Sequence, residues 1–301
     1  MKRTSLVAAL AALLFNPILA HAASPSLSKI LPRGAKRGAE HELHFHGDRL
    51  GDTAEILFYS PGFEVRSFEV VDAKHVKAKV AIAPGCAYGE HLARLRTNSG
   101  LSSLRSFWVG QFDTTLEAEP NNEFESPQEI PPGTTVEGVV QNEDVDYYVV
   151  EAEAGQRLSA EVEGIRLGNA FFDPYVAILN SKRFELAASD DTALLLQDPT
   201  VSIVAPEDGK YIIQVRDSSY TGNGNCHYRL HVGSFPRPLA AFPAGGRAGR
   251  ALEVKLLGDP AGDSVKTVSL PEAVTAAFPL RAEVDGLVSP APLPLRISPF
   301  D

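Results

Sequence analysis

The chain is poor in cysteine, holding only Cys86 and Cys226 among 301 residues. No Cys-x-x-Cys spacing occurs, which excludes a thiolate zinc centre. The two cysteines fall in different expected domains. A disulfide between them would need those domains docked with Cα atoms within about 7 Å; two ordinary buried thiols are the other reading. No Lys/Arg-rich block follows the first residues, and the net charge is −10, so neither nucleic acid nor an anionic membrane surface is an expected partner. Motifs of chemistry are also missing. There is no Gly-x-Ser-x-Gly elbow, no Walker-type glycine loop and no His-Glu-x-x-His helix. The scattered Asp and Glu single out no glycosidase pair, so a non-catalytic protein is expected. Long apolar runs are absent but for residues 6–15, which are too short for a typical membrane span. With Lys2 and Arg3 before that run and Ala20-His21-Ala22 after it, residues 1–22 read as a signal peptide and Ala23 as the mature start. The expected location is outside the cell, in the periplasm or on the cell surface, with no membrane insertion of the mature chain.

What is plentiful is punctuation. The 24 glycines and 22 prolines separate short runs rich in Val, Ile, Leu, Phe and Tyr, the pattern of an all-β chain. No run of helical length and period competes with it. Over residues 23–112, strands are expected at 41–45, 54–59, 63–71, 76–82, 91–96 and 103–109, with turns at Gly47-Asp48, Pro61-Gly62 and Pro84-Gly85. Such spacing predicts a small immunoglobulin-like β-sandwich. Within it Glu42, His44 and His46 share a strand face, with His41 nearby. A strand alone fixes no third metal ligand, so these histidines read as a solvated face.

A second domain spans 113–235, with strands expected at 134–140, 147–151, 157–162, 175–179, 185–188, 200–204, 210–216 and 228–232. Eight short strands bury one face each in a two-sheet sandwich. Ahead of it lies Glu117-Ala-Glu119-Pro-Asn121-Asn122-Glu123, and some twenty residues later Glu143-Asp144-Val-Asp146-Tyr-Tyr148. Asp144 and Asp146, two apart at a strand entry, point the same way. Two oxygen-rich segments laid side by side suit a hard cation, which takes six to eight oxygen ligands. A solvated acidic linker at 117–123 is the plain alternative.

The order Glu-x-Glu-Pro-Asn-Asn, Glu137-Gly138, Asp-Val-Asp-Tyr-Tyr and Ala154-Gly155-Gln156 resembles the bacterial pre-peptidase C-terminal domain. Ala205-Pro206, Gly209-Lys-Tyr211 and Tyr228-Arg-Leu230 continue the likeness to about residue 235. The resemblance implies a jelly-roll-like sandwich of the kind that includes the collagen-binding modules of clostridial collagenases. It further implies a calcium site at Glu117, Glu119, Asn121, Asn122, Asp144 and Asp146, with Glu143 able to replace Asp144. Tyr211, Tyr220 and Tyr228 are candidates for an aromatic binding surface, with core packing as the other reading.

The last unit, 236–301, repeats the first. Pro32, Gly34, Gly38, Glu42, Gly47 and Asp48 recur at identical spacing as Pro243, Gly245, Gly249, Glu253, Gly258 and Asp259. Equal spacing of glycines means equal turns, so a smaller copy of the first sandwich is expected. The chain would then be a binder–spacer–binder or the front of a longer array. The fold expected is therefore a set of tandem β-sandwiches: immunoglobulin-like, jelly-roll-like and a partial immunoglobulin-like repeat. The function expected is an extracellular binding or scaffold module for a protein or polysaccharide ligand. The alternative is an accessory region of a secreted hydrolase or peptidase.

Overall fold

The structure, a computed structural model, describes residues 24–168 and 170–300; the expected signal peptide lies outside them. Strands carry nearly all the regular structure, joined by one short 3₁₀ turn, Ile165–Leu167. The first nine strands are β1 (Ser26–Leu31), β2 (Gly34–Lys36), β3 (Glu40–Asp48), β4 (Thr53–Phe58), β5 (Phe63–Asp72), β6 (His75–Ile82), β7 (Gly89–Thr97), β8 (Gly100–Leu101) and β9 (Arg105–Gly110). They form two facing sheets, ordered β1-β3-β6-β5 and β2-β9-β7-β4. Alternation decides what goes inside: along β3, Leu43 and Phe45 are fully buried while Glu42, His44 and His46 face out. Cys86 belongs to this core.

The central sandwich holds β10 (Asp113–Leu116), β11 (Gln128–Glu129), β12 (Thr134–Val139), β13 (Val145–Ala152), β14 (Arg157–Glu163), β15 (Pro174–Asn180), β16 (Glu185–Ser189), β17 (Thr200–Val204), β18 (Gly209–Asp217) and β19 (His227–Gly233). One sheet runs β10-β12-β19-β14-β17 and the other β11-β13-β18-β15-β16. All eight strands expected from the sequence are here. The two it did not announce, β10 and β11, are short and pair in parallel with β12 and β13. Their residues are too few to show an alternating pattern. Segment 113–130 is thus laced to both sheets and is no free linker. Cys226 sits in the central core and Cys86 in the first, and both are free thiols.

The last unit comprises β20 (Ala240–Phe242), β21 (Gly245–Arg247), β22 (Ala251–Leu257), β23 (Ser264–Ser269), β24 (Thr275–Leu280), β25 (Glu283–Val284), β26 (Leu287–Val288) and β27 (Leu293–Ser298). Its sheets, β20-β22-β23 and β21-β27-β24, follow the order of the first sandwich with fewer strands. The shared glycines occupy shared geometry. Gly38 and Gly249 both turn through the left-handed region, at φ +82° and +69°. Gly34 pairs in parallel with Trp108, and Gly245 with Arg296.

At Gly34 a side chain has no room. A Cβ there would overlap the carbonyl oxygen of Trp108 and lie 2.6 Å from Cζ of Arg229. Gly34→Ala is therefore expected to cost about 1–3 kcal/mol, the usual penalty of forcing an atom into a packed site. Gly85→Ala, where nothing lies within 4 Å of the added Cβ, should leave the melting temperature nearly unchanged. Thermal melts of the two variants side by side check the contrast.

The three sandwiches are joined by buried charge. On β12, β14 and β19 the residues facing away from the central core include Glu137, Glu161, Glu163, Arg229 and His231, each under 9% exposed. Arg229 donates to Glu137 at 2.9 Å and to Glu163 at 2.6 Å. Glu137 also accepts the backbone N–H groups of Arg33 and Gly34, at 2.7 and 3.1 Å, tying the first sandwich to the second. Arg237 and Arg157 make the other junction, to Glu161 at 3.1 Å and to Asp259 at 2.9 Å. The Gln111 side chain bonds both backbone groups of Val288, linking the first unit to the last.

Candidate functional site: an acidic pocket beneath the linker

The segment after β10 bonds β12 through Glu117 N to the Glu137 carbonyl at 2.9 Å and β13 through the Asn121 carbonyl, and β13 carries Asp146. Carboxylate oxygens of Glu117, Glu119 and Asp146 all lie within 4.8 Å of one another. Asp146 is fully buried, Glu117 partly and Glu119 exposed. This is the convergence the sequence pattern suggested, though for three of its six residues.

The other three sit around it differently. Asn121 is 1% exposed, and neither its amide oxygen nor its amide nitrogen has a partner among the described residues. Its backbone carbonyl accepts from Tyr147 N at 3.0 Å, which pins the turn to β13. Asn122 is exposed and turns its side-chain oxygen to Asn121 N at 3.3 Å, so it serves the loop. Asp144 is buried; one oxygen accepts from Gln141 N at 3.0 Å and the other is unpartnered. The register is fixed here, since Glu143 is exposed with φ +60° and does not replace Asp144.

Two tyrosines that the motif did not assign to the site complete it. Tyr148 donates to Glu117 Oε1 at 2.8 Å, and Tyr228 lies 2.9 Å from the same oxygen and 2.7 Å from Asp146 Oδ2. The two hydroxyls also touch each other. Tyr228 reaches this point because its cross-strand neighbour is Gly138, where any Cβ would collide with the phenol ring. That is the physical content of the Glu-Gly pair in the sequence. Of the three tyrosines considered for a binding surface, Tyr211 and Tyr228 are buried. Tyr220 alone is exposed, with Arg216 stacked 4.4 Å above its ring, so they form no joint aromatic face.

The electrostatics of the pocket are unfavourable as it stands. Four oxygen–oxygen contacts share two phenolic protons, because a hydroxyl donates only once. Burial first, and the Glu117 charge second, push Asp146 up to about 9. Burial likewise raises Glu119, with Glu117 and Asp144 adding to the effect. Tyr148 and Tyr228 are driven well above the ordinary phenol value, by burial and then by their negative neighbours. Both effects disfavour more negative charge. A held proton or a cation would relieve this.

Residues 144–217 match the family described as the bacterial pre-peptidase C-terminal domain. The matched stretch lies within the central sandwich, from β13 to β18. Domains of this family are themselves non-catalytic and are typically accessories of secreted proteases. Among solved structures, the pre-peptidase C-terminal domain of a Bacillus anthracis collagenase is similar at 19% identity, covering 37% of this chain and 99% of its own, with a TM-score of 0.30. PliG, a periplasmic inhibitor of g-type lysozyme from Aeromonas hydrophila, is similar at 14% identity, with 40% and 97% coverage and a TM-score of 0.26. No curated protein matches the chain. Among the described residues no helix is long and apolar enough to cross a membrane.

Proposed function

We propose that this is a secreted, non-catalytic binding or scaffold protein whose pre-peptidase C-terminal domain is stabilised by calcium. The observation that carries the reading is the meeting of Glu117, Glu119 and Asp146 oxygens within 4.8 Å, beside a buried Asn121 amide and an Asp144 oxygen that have no partner. An unpaired buried polar atom is costly, and calcium, which binds six to eight oxygens, would satisfy the free oxygens of Asn121 and Asp144. Glu117, Glu119 and Asp146 would supply carboxylates, with Asn121 and Asp144 adding neutral and charged oxygens. Bound there, the ion holds segment 117–122 against β13, and so sets the angle between the first and central sandwiches. A rigid array of this kind presents outer surfaces to a protein or polysaccharide ligand.

The expected result is a higher melting temperature in millimolar calcium than in chelator. The double variant Asp144→Asn with Asp146→Asn should abolish the rise while keeping the β-sheet circular dichroism. Equal melting temperatures in the two buffers would overturn the calcium reading. The family's usual role favours a second reading, an accessory region of a secreted peptidase. Incubating the purified chain with casein and insoluble collagen addresses catalysis: cleavage would overturn the non-catalytic assignment, and retention on the matrix without cleavage supports it.

A further inference from the structure

Five of the eight histidines in the chain gather on the outer face of β3 and its surroundings: His41, His44, His46, His75 and His227. The strand pattern alone placed Glu42, His44 and His46 on one face and left the third ligand open. The sheet brings a further imidazole beside them. In the antiparallel pairing of β3 with β6, His75 stands directly opposite His46. The three rings stack nearly parallel, with centroids 5.2 Å apart for His44 and His75, 4.6 Å for His46 and His75, and 6.3 Å for His44 and His46.

We propose that His44 and His75, joined by His46, form a binding site for a divalent transition-metal ion of the zinc type. The geometry at the first two is close to what such an ion requires. His44 Nδ1 and His75 Nε2 lie 2.9 Å apart. Two nitrogens held about 2.0–2.1 Å from a tetrahedral zinc are separated by about 3.3 Å, so a few tenths of an ångström of opening admits the ion. A carboxylate also stands near the far nitrogen. The other nitrogen of His44, Nε2, is 3.4 Å from Glu42 Oε1. Closing that gap would let Glu42 accept the far ring N–H and leave the near nitrogen with its lone pair free, the arrangement that orients histidine ligands at metal centres. His46, stacked 4.6 Å from His75 between ring centroids, would join only by rotating its side chain out of the stack. Imidazole donors select zinc, copper and nickel over calcium, which takes oxygen ligands.

The site is accessible. His44 and His46 line an open groove of about 690 Å³ between the first sandwich and β10–β12. The nearest cations are already engaged: Lys29 Nζ lies 3.3 Å from His227 Nε2, and Lys77 Nζ is 4.0 Å from Glu42. An ion bridging His44 and His75 would clamp β3 to β6 across a sheet face that carries no apolar cover. This site shares no residue with the acidic pocket, so the two stand or fall separately.

The test is calorimetric titration of zinc into the untagged protein in saturating calcium, which keeps the acidic pocket occupied by its own class of ion. One zinc per chain is expected. His75→Ala and His44→Ala should each abolish it, and Glu42→Gln should weaken it roughly 10–100-fold, as loss of an orienting carboxylate does. His41→Ala, whose ring bonds the Lys36 carbonyl at 2.7 Å, and Asp146→Asn should leave it unchanged. Circular dichroism confirms that each variant is folded. No zinc heat, zinc heat that survives both His44→Ala and His75→Ala, or zinc heat that is lost in Asp146→Asn would overturn the proposal.

Discussion

Replacing Arg229 by Met is expected to destabilise the protein by about 3–5 kcal/mol, the cost of removing one partner from a buried ion pair. The guanidinium is 1% exposed and serves Glu137 and Glu163 together. Methionine fills much of the same volume, so the loss is electrostatic: two carboxylates stay buried with their cation gone. Burial would raise Glu163, yet Arg229 and His231 outweigh it and hold the group well below the ordinary carboxylate range. A depressed carboxylate contributes stability above its unfolded value near 4.5, and that contribution is lost as pH falls through the folded value. Arg229→Met should therefore be least harmful in acid. The control is Arg96→Met. Arg96 meets Glu55 at 2.7 Å, but both side chains are 47% exposed, so the expected cost is about 0–1 kcal/mol. Trp108, the sole tryptophan, bonds the Arg33 carbonyl at 3.0 Å beside this junction. Its fluorescence in a urea titration reports the junction directly. An unchanged midpoint for Arg229→Met would show that the network does not hold the sandwiches together.

A second large effect is expected from pH in the absence of calcium. Asp146 is raised from 3.8 to about 9, by burial and then by Glu117. A group with a raised folded value takes up a proton on folding. Its stabilising contribution is complete below the unfolded value near 3.8 and is lost as pH rises towards about 9. Chelated protein should thus melt at progressively lower temperature between pH 5 and pH 8. Calcium should reverse the trend if it replaces the proton, since a metal site whose ligand must ionise binds more tightly as pH rises. With one proton displaced, affinity should strengthen by up to about tenfold per pH unit. At a free calcium concentration 100 times the dissociation constant the ion adds about 2.7 kcal/mol. The gap between the calcium and chelator melting curves should widen with pH. A gap that stays constant would show that Asp146 carries no proton in the free site.

Much of this was legible in the residues. The central strands announce themselves because Val, Ile and Tyr alternate with polar residues, and each turn carries Gly, Pro or Asp. Glu117, Glu119 and Asp146 are among the six positions that the resemblance to pre-peptidase C-terminal domains points to, two acidic segments that a folded sheet could lay side by side. Three features were not legible. Tyr148 and Tyr228 look like ordinary strand residues, and only Gly138 hints that a ring crosses its strand. Glu137, Glu161 and Glu163 alternate with apolar residues as a solvated face would. Their burial comes from the flanking sandwiches, which no local pattern reports. His75 lies some thirty residues from His44, and only the antiparallel register of β3 and β6 brings it opposite His46.

The central claim is that the acidic pocket is a calcium site. Calorimetric titration of calcium into chelator-treated protein at pH 7.5 tests it most directly, repeated in buffers of different ionisation enthalpy so that proton release is counted. The account predicts one calcium per chain, release of about one proton on binding, and loss of both signals in Asp146→Asn. Absence of calcium binding, or binding that persists in Asp146→Asn, would contradict it.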